Sequence, residues 1–308
     1  MRVRVSLCYP DADPTPWLAG LRSHLPFAEI SSWMPGAPLA DYGVVWAPHQ
    51  EFLDQQTQLK ALFNIGAGVD RLMLLRLPPG LPVVRLDDAG MGVQMAEYVC
   101  HAVARHFREF DAYDAQAGQG QWLQRAPRSR ADFPVGIMGL GVLGARVAAA
   151  LKVFDYPLVG WSRSKRELDG VRCFSGMAGL AEFLARTRIL VCLLPLTPDT
   201  RGILNRDTLS QLRLGAFVVN VARGDLLIEE DLLALLDSGH VAGATLDVFR
   251  TEPLPPLHPL WRRRAVHVTP HTSAQTLEAA SIAQIAGKIL AMDRGAPVSG
   301  MVDHPRGY

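Results

Sequence analysis

The sequence has few cysteines and no excess of charge of either sign. Its 308 residues include four cysteines, and no two of them form a C-x-x-C motif. The sequence therefore predicts neither a zinc site nor a disulfide framework. We expect reduced thiols, a cytoplasmic location and no bound metal. Lys plus Arg total 31 and Asp plus Glu total 30, a formal net charge of +1 that argues against nucleic acid or anionic lipid as a partner.

Long hydrophobic runs are also missing. The apolar start of the chain is interrupted by Pro10 and Asp13, which is too early for the hydrophobic region of a signal peptide. Another strongly apolar stretch, Ile189–Leu194, ends at Pro195, whereas a membrane-spanning helix needs about 20 residues. The sequence therefore predicts a protein without a membrane partner.

Short β-branched runs instead alternate with helical patterns, which is typical of parallel sheets built from βαβ units. One series begins at Val3 and a second at Val135, in agreement with a prior of about two domains for this length. We predict an α/β fold of two Rossmann-like or flavodoxin-like domains. The substrate-binding domain would comprise residues 1–98 and 273–308, with the nucleotide-binding domain, residues 99–272, inserted in it. One long helix, Met95–Ala115, would lead into the inserted domain.

A glycine-rich segment follows the predicted strand Val135–Met138 and opens a helical stretch. A G-x-G-x-x-G pattern in this context is the dinucleotide-binding fingerprint, in which backbone N–H groups at the helix start approach a pyrophosphate. The alternative is an ordinary turn between a strand and a helix. The predicted cofactor contacts here are Gly139, Gly141, Val142, Leu143 and Gly144.

About 20 residues further on, an NAD enzyme carries an acidic residue for the ribose 2′-hydroxyl. This chain instead has a basic and hydroxyl-rich run that contains Ser162, Arg163, Ser164 and Lys165. Arg163 can donate a charge-assisted fork to a 2′-phosphate, and its neighbours can add donors. We therefore predict NADPH as the preferred cofactor over NADH, the alternative being a merely solvated loop.

Three polar residues follow later predicted strands, at the sheet edge where open α/β folds bind ligands. Arg223 could hold a carboxylate, and His271 could donate a proton to a developing alkoxide. Glu252 beside His271 would keep the imidazole protonated and oriented. Read singly, each residue also fits an ordinary structural role. Together, and behind a nucleotide fingerprint, they favour a catalytic site.

The succession of motifs resembles the D-2-hydroxy-acid dehydrogenase family. It comprises Gly139–Gly144, Leu194–Thr200, Asn220–Gly224, Asp247–Phe249 with Glu252-Pro253-Leu254, and Pro270-His271. The Arg, Glu and His positions match that family's catalytic triad. Further segments, Phe63–Asp70, Asp88–Gly92, Trp161–Ser164 and Arg306–Tyr308, are similar to members that reduce glyoxylate and hydroxypyruvate.

The resemblance implies hydride transfer from NADPH to the C2 carbonyl of a short 2-oxo acid in a cleft that closes between the domains. His271 would supply the proton, Arg223 would bind the carboxylate and carbonyl oxygen, and Glu252 would tune His271. Backbone N–H groups of Ala67 and Gly68 would bind the carboxylate, and Trp46 would limit the size of the substrate. Further implied cofactor contacts are Leu194, Pro195, Thr200, Val221, Ala222, Asp247 and Ser273.

The family resemblance also implies a homodimer formed through the long helix and the loop around Trp122. Two alternatives to a glyoxylate and hydroxypyruvate reductase remain open at this point. One is another dehydrogenase of the family, acting on phosphoglycerate or on bulkier 2-oxo acids. The other is a non-enzymatic dinucleotide sensor that resembles the corepressors sharing this fold.

Overall fold

The computed structural model describes residues 3–10 and 12–308. The chain divides into two units: unit 1 comprises Met1–Met91 and Thr276–Tyr308, and unit 2 comprises Gly92–Gln275. The functional roles and boundaries predicted for the two domains stay predictions. Within the described residues, no helix is both long and apolar enough to cross a membrane, and no cluster of three His, Cys, Asp or Glu residues could hold a metal.

Unit 1 is built on a parallel sheet of five strands in the order β2-β1-β3-β4-β5. The central strands β3 and β4 are buried at every position, as expected for a sheet covered on both faces. The strands are β1 (Arg4–Cys8), β2 (Glu29–Ser32), β3 (Tyr42–Val45), β4 (Ala61–Asn64) and β5 (Val83–Val84). The helices are α1 (Thr15–His24), α2 (Gln50–Gln55) and, from the C-terminal segment, α9 (Glu278–Asp293).

Helix α9 completes unit 1 and ties the end of the chain to its beginning. Its buried Lys288 donates to the carbonyl oxygen of Arg85 at 2.8 Å and to Asp87 Oδ2 at 3.0 Å. Ile282 fills the space above Gly20 of α1, where a Cβ would lie 2.7 Å from the Ile282 Cδ1 atom. The segment after β5 and helix α1 therefore both pack on a helix that is far from either of them in sequence.

Unit 2 holds a parallel sheet of seven strands in the order β12-β11-β10-β9-β6-β7-β8. The strands are β6 (Val135–Met138), β7 (Leu158–Ser162), β8 (Val171–Ser175), β9 (Ile189–Cys192), β10 (Ala216–Asn220), β11 (Val241–Leu246) and β12 (Val266–Val268). The helices are α3 (Met91–Phe107), α4 (Phe110–Ala117), α5 (Val142–Lys152), α6 (Gly176–Ala185), α7 (Arg206–Leu209) and α8 (Glu229–Asp237). Strand β6 has β7 on one side and β9 on the other, so the strand order reverses there, at the switch point where such sheets bind nucleotides. The predicted α/β fold class is confirmed.

The structure corrects the predicted helix Met95–Ala115, which is two helices. Helix α3 ends at Phe107 and α4 begins at Phe110, because Glu109 adopts the left-handed conformation with φ of 57°. A single left-handed residue interrupts the helix without disturbing the apolar spacing on either side. Apolar periodicity alone therefore did not reveal the break.

Candidate active site

The glycine-rich loop joins β6 to α5 and keeps the start of that helix open. A Cβ on Gly144 would lie 1.9 Å from the Gly139 carbonyl oxygen, so the helix packs directly on the loop backbone. Gly139 itself has φ of +102°, and a Cβ there would meet the Leu193 carbonyl oxygen at 2.6 Å. Gly141 is the N-cap of α5 and has no side chain to cap the helix, and a Cβ at this position would have no protein atom within 4 Å. The helix start thus fits a pyrophosphate, which its N–H groups would bind.

The basic run at the end of β7 lies on the surface. The Ser162 hydroxyl donates to the Ser164 carbonyl oxygen at 2.7 Å, which closes a tight turn. Arg163 is exposed, and exposed Lys165 pairs with Glu167 at 3.2 Å. An open cavity of about 550 Å³ lies beside the run, with Lys165, Arg166 and Ser175 in its wall. These donors and the space beside them fit the 2′-phosphate end of a dinucleotide.

His271 and Glu252 meet in the loops after β12 and β11. The His271 Nδ1 atom lies 2.9 Å from Glu252 Oε2, and the Phe249 N–H donates to Glu252 Oε1 at 3.0 Å. One carboxylate oxygen is therefore fixed by the backbone and the other by the imidazole. Among the described residues, none forms a hydrogen bond with the second ring nitrogen, Nε2, and the His271 side chain is 45% exposed.

Asp247, directly after β11, holds the loop that carries His271. The carboxylate is fully buried and accepts hydrogen bonds from Thr269 Oγ1 at 2.6 Å, Thr272 N at 2.8 Å and Ser273 N at 2.8 Å. His271, between these donors, has φ of 56°, a conformation that an L-residue keeps only when its surroundings enforce it. The structure shows that both Asp247 and Ser273 hold this loop in place. Their predicted contacts with the cofactor stay predictions.

Arg223 is positioned by a fully buried asparagine at the end of β10. Asn220 Oδ1 accepts from Ala222 N at 3.2 Å, and its amide donates to the Arg223 carbonyl oxygen at 3.0 Å. The Arg223 guanidinium donates from Nη1 to the Ala222 carbonyl oxygen at 2.7 Å. The cation is thus held against the carboxyl end of the sheet, where it can bind an anion.

Other predicted cofactor contacts lie in the loops after β9 and β10 and at the start of α5. Thr200 Oγ1 donates to the Pro195 carbonyl oxygen at 2.7 Å and accepts from Thr197 N at 2.9 Å, so its hydroxyl folds the loop after β9. Leu194, Val221 and Ala222 are buried. Val142 is exposed and Leu143 half-buried at the start of α5.

In unit 1, the predicted substrate-binding residues lie together after β3 and β4. Gly66, with φ of +155°, packs under Trp46, whose Cζ3 atom would be 2.7 Å from a Cβ at that position. The buried Asn64 amide donates to the carbonyl oxygens of Gly66 at 3.2 Å and Gly68 at 2.9 Å. In residues 3–10 and 12–308, no hydrogen bond is donated by the backbone N–H groups of Ala67 and Gly68. This loop therefore offers two donors beside an aromatic ring.

Sequence reasoning missed the residues that hold the site. Asn64, Asn220 and Asp247 are buried polar residues at strand ends, and each makes two or more hydrogen bonds to a loop. A polar residue that interrupts an apolar strand is the available signal, because a buried polar group is retained only with partners. Asp247 carried that signal but was assigned to the cofactor.

Comparison with known proteins shows the family of the chain. A family model described as "D-isomer specific 2-hydroxyacid dehydrogenase, NAD binding domain" matches residues 100–273. The chain is 44% identical over 307 residues to a Yersinia enterocolitica protein named glyoxylate/hydroxypyruvate reductase A, covering 97% of this chain and 98% of that protein.

Two solved structures are similar over 100% of both chains. One is a D-isomer specific 2-hydroxyacid dehydrogenase from Xanthobacter autotrophicus Py2 in complex with NADPH and MES, with 37% identity and a TM-score of 0.94. The other is an NADPH-dependent glyoxylate/hydroxypyruvate reductase from Sinorhizobium meliloti in complex with NADP and sulfate, with 36% identity and a TM-score of 0.92. The chain belongs to the D-isomer-specific 2-hydroxyacid dehydrogenase family, a family of NAD(P)-dependent enzymes.

Proposed function

We propose that the protein reduces short 2-oxo acids, with glyoxylate and hydroxypyruvate as the substrates and NADPH as the hydride donor. The observation that carries the proposal is the His271–Glu252 pair, 2.9 Å apart, in the same unit as the Arg223 loop and the open helix start at Gly141. Relatives named glyoxylate/hydroxypyruvate reductase A support the substrate class.

His271 is the proton donor in this proposal. Because Glu252 accepts from Nδ1, the carboxylate fixes the orientation of the ring and directs Nε2 toward the substrate oxygen. NADPH, when bound, supplies the hydride to C2. Proton transfer from Nε2 neutralises the alkoxide that forms, which is general acid catalysis worth about 10²- to 10⁴-fold.

Arg223 binds the substrate carboxylate and polarises the carbonyl oxygen. Its guanidinium is a fixed fork of donors, and Asn220 and the Ala222 carbonyl hold the loop and the side chain in place. In unit 1, the Ala67 and Gly68 N–H groups provide donors suited to a carboxylate. Trp46, packed on Gly66, restricts the substituent at C2 to a small group.

NADPH is the cofactor that the basic run after β7 favours. Arg163 and the serines on either side of it replace the acidic residue that would bind a 2′-hydroxyl and repel a 2′-phosphate. Similar structures hold NADPH or NADP, in agreement with this preference.

We further propose a cytoplasmic homodimer. Trp122 is completely exposed and neighbouring Leu123 is 61% exposed, in a stretch without regular secondary structure after α4. Large apolar side chains presented in this way are typical of an association surface. Light scattering of the wild-type protein and of Trp122→Ser tests this: a wild-type monomer contradicts it.

The reaction is tested by following NADPH loss with glyoxylate, hydroxypyruvate, pyruvate and phenylpyruvate. We expect kcat/KM to be highest for the first two acids and His271→Asn to lower kcat by about 10²-fold or more. The chain offers a matched control in His267, whose Nε2 lies 2.9 Å from Asp111 Oδ2 in a second His–carboxylate pair. His267→Asn should leave kcat within about twofold.

Four results would contradict the proposal. Near-normal turnover in His271→Asn removes the proton donor. Equal losses in His267→Asn and His271→Asn show a general effect of histidine loss. A clear preference for phenylpyruvate moves the substrate class to bulkier acids, and no turnover with any acid in the panel favours a non-enzymatic role.

A further inference from the structure

The loops of Arg223 and Glu252 touch through their backbones. A Cβ on Gly224 would lie 1.9 Å from the Phe249 carbonyl carbon and 2.4 Å from the Arg250 nitrogen. Gly224 therefore lies flat against the Phe249–Arg250 peptide. The Phe249 N–H also fixes Glu252 Oε1 at 3.0 Å. Phe249 therefore links the two loops, since the peptide after it packs on Gly224 and the N–H of the peptide before it binds Glu252.

A buried carboxylate holds that peptide from outside the site. Glu229, the first residue of α8, is 7% exposed, and its Oε1 atom accepts from the Arg250 N–H at 3.1 Å. Its Oε2 atom lies 3.3 Å from His258 Nε2. Both oxygens of a nearly buried carboxylate are thus directed to the loop of residues 249–258, away from the N–H groups of its own helix.

The two nitrogens of the His258 ring face different groups. The Leu260 N–H points to His258 Nδ1 at 3.4 Å, so Nδ1 is an acceptor and the neutral ring carries its proton on Nε2. Nε2 lies at ion-pair distance from Glu229 Oε2. The neighbouring Glu230 has a different role, since it forms an exposed ion pair with the Arg250 side chain.

We propose that Glu229 and His258 are a positioning pair for the reaction. They fix the Phe249–Arg250 peptide and thereby keep Arg223 and Glu252 in the relative positions that the reaction requires. Neither residue touches the substrate. The inference rests on the proposed function and extends it to residues outside the Arg–Glu–His set. A displacement of about 1 Å in a catalytic group can cost 10²-fold in rate, so loss of the pair acts on turnover.

The first test compares His258→Leu with His258→Gln. Leucine removes the polar group beside the buried Glu229 Oε2, whereas the glutamine amide restores one. We expect kcat to fall about 10- to 100-fold in His258→Leu and to recover at least in part in His258→Gln. The Kd for NADPH should stay within about twofold in both, because the glycine-rich loop lies elsewhere.

His240 provides the matched control. Its Nε2 lies 3.2 Å from the Leu209 carbonyl oxygen, at the amino end of the same sheet. His240→Leu should lower the melting temperature and leave kcat unchanged. An equal fall of kcat in His240→Leu and His258→Leu overturns the proposal, and so does an unchanged kcat in His258→Leu.

A second measurement is independent of activity. Long-range ¹⁵N–¹H NMR of histidine-labelled full-length protein, at a pH where the rings are neutral, reports which nitrogen carries the proton. We expect the proton on Nε2 in His258 and on Nδ1 in His271, where Glu252 accepts. In His258→Leu, the His271 proton should redistribute over both nitrogens, while His258→Gln keeps it on Nδ1.

The two measurements separate the proposals. If the tautomers change as expected but the wild type reduces no 2-oxo acid, the proposed function fails and the positioning pair stands. If the wild type is active and the His271 tautomer is the same in His258→Leu, the positioning pair fails. If His258→Leu does not fold, Glu229→Gln takes its place, because its amide would force the His258 proton from Nε2 to Nδ1 and should lower kcat likewise.

Discussion

Gly141→Ala tests whether the open start of α5 holds the cofactor. A Cβ added at Gly141 would meet no protein atom within 4 Å, and the backbone there is extended, with φ of −76°. Alanine therefore fits the protein itself. A pyrophosphate approaching the helix N–H groups would meet the new methyl group at the place where glycine allows close contact.

The expected effects on stability and on binding differ in size. For the free energy of unfolding, alanine reduces the freedom of the unfolded chain, a gain of about 0.4–1 kcal/mol, while it is a poorer N-cap than glycine by a similar amount. The net change should lie within about 1 kcal/mol. For NADPH binding, a methyl group forced into a packed contact costs about 1–3 kcal/mol, roughly a 5- to 150-fold rise in Kd.

The control is Gly287→Ala in α9, where a Cβ also has no atom within 4 Å. It should stabilise the protein by up to about 1 kcal/mol and leave the Kd unchanged. Calorimetric titration with NADPH and urea unfolding of both variants give the two quantities. If Gly141→Ala binds NADPH as tightly as the wild type does, the cofactor does not approach this glycine and the assignment of the loop is wrong.

Three further predictions concern other parts of the chain. Arg163→Ala should lower the ratio of kcat/KM with NADPH to kcat/KM with NADH by about tenfold or more, because a charge-assisted hydrogen bond to the 2′-phosphate is lost. Arg172 is exposed and pairs with Glu182, so Arg172→Ala should leave this ratio unchanged. Lys288→Met leaves Asp87 without its buried partner and should lower the free energy of unfolding in urea by about 3 kcal/mol. Lys152→Met, which breaks an exposed pair, should lower it by less than about 1 kcal/mol, and equal losses in the two variants would refute this prediction. Burial, with help from two nearby arginines, lowers the pKa of His106 from 6.5 to about 4, so the unfolded chain binds more protons between these pH values. Stability should therefore fall by about 3 kcal/mol on acidification through this window, and His106→Phe should remove most of that slope in urea titrations.

The sequence predicted the central strands and two of the four edge strands, β5 and β12. Strands β6, β9 and β10 are buried at every position, so their apolar runs were plain in the sequence. Strands β2 and β8 were not predicted. They lie at sheet edges, and their partly exposed residues give no continuous apolar pattern. Edge strands form because a neighbour offers hydrogen bonds, which the strand's own residues do not reveal.

The residues of the candidate site also differ in how well the sequence predicts them. Arg223, Glu252 and His271 could be singled out because each reactive side chain follows an apolar strand and matches a family motif. Glu229 could not, since an acidic residue in the first turn of a helix is common and stabilises the helix dipole wherever it occurs. The sequence likewise offers no signal that separates His258 from a structural histidine. In the structure, its burial and its contacts with the Arg250 N–H and His258 distinguish Glu229 from the exposed Glu230 next to it.

A common principle connects the residues that hold the site. The loops at the carboxyl ends of the strands must expose reactive side chains, so their backbone groups cannot all be paired within the sheet. Asn220 and Asp247 pair them from the strand ends, and Glu229 does so from a helix. All three residues are buried. In a buried environment a hydrogen bond is strong and an unpaired polar group is costly. A loop held in this way has one low-energy arrangement, and that arrangement fixes Arg223 and the His271–Glu252 pair before any ligand arrives.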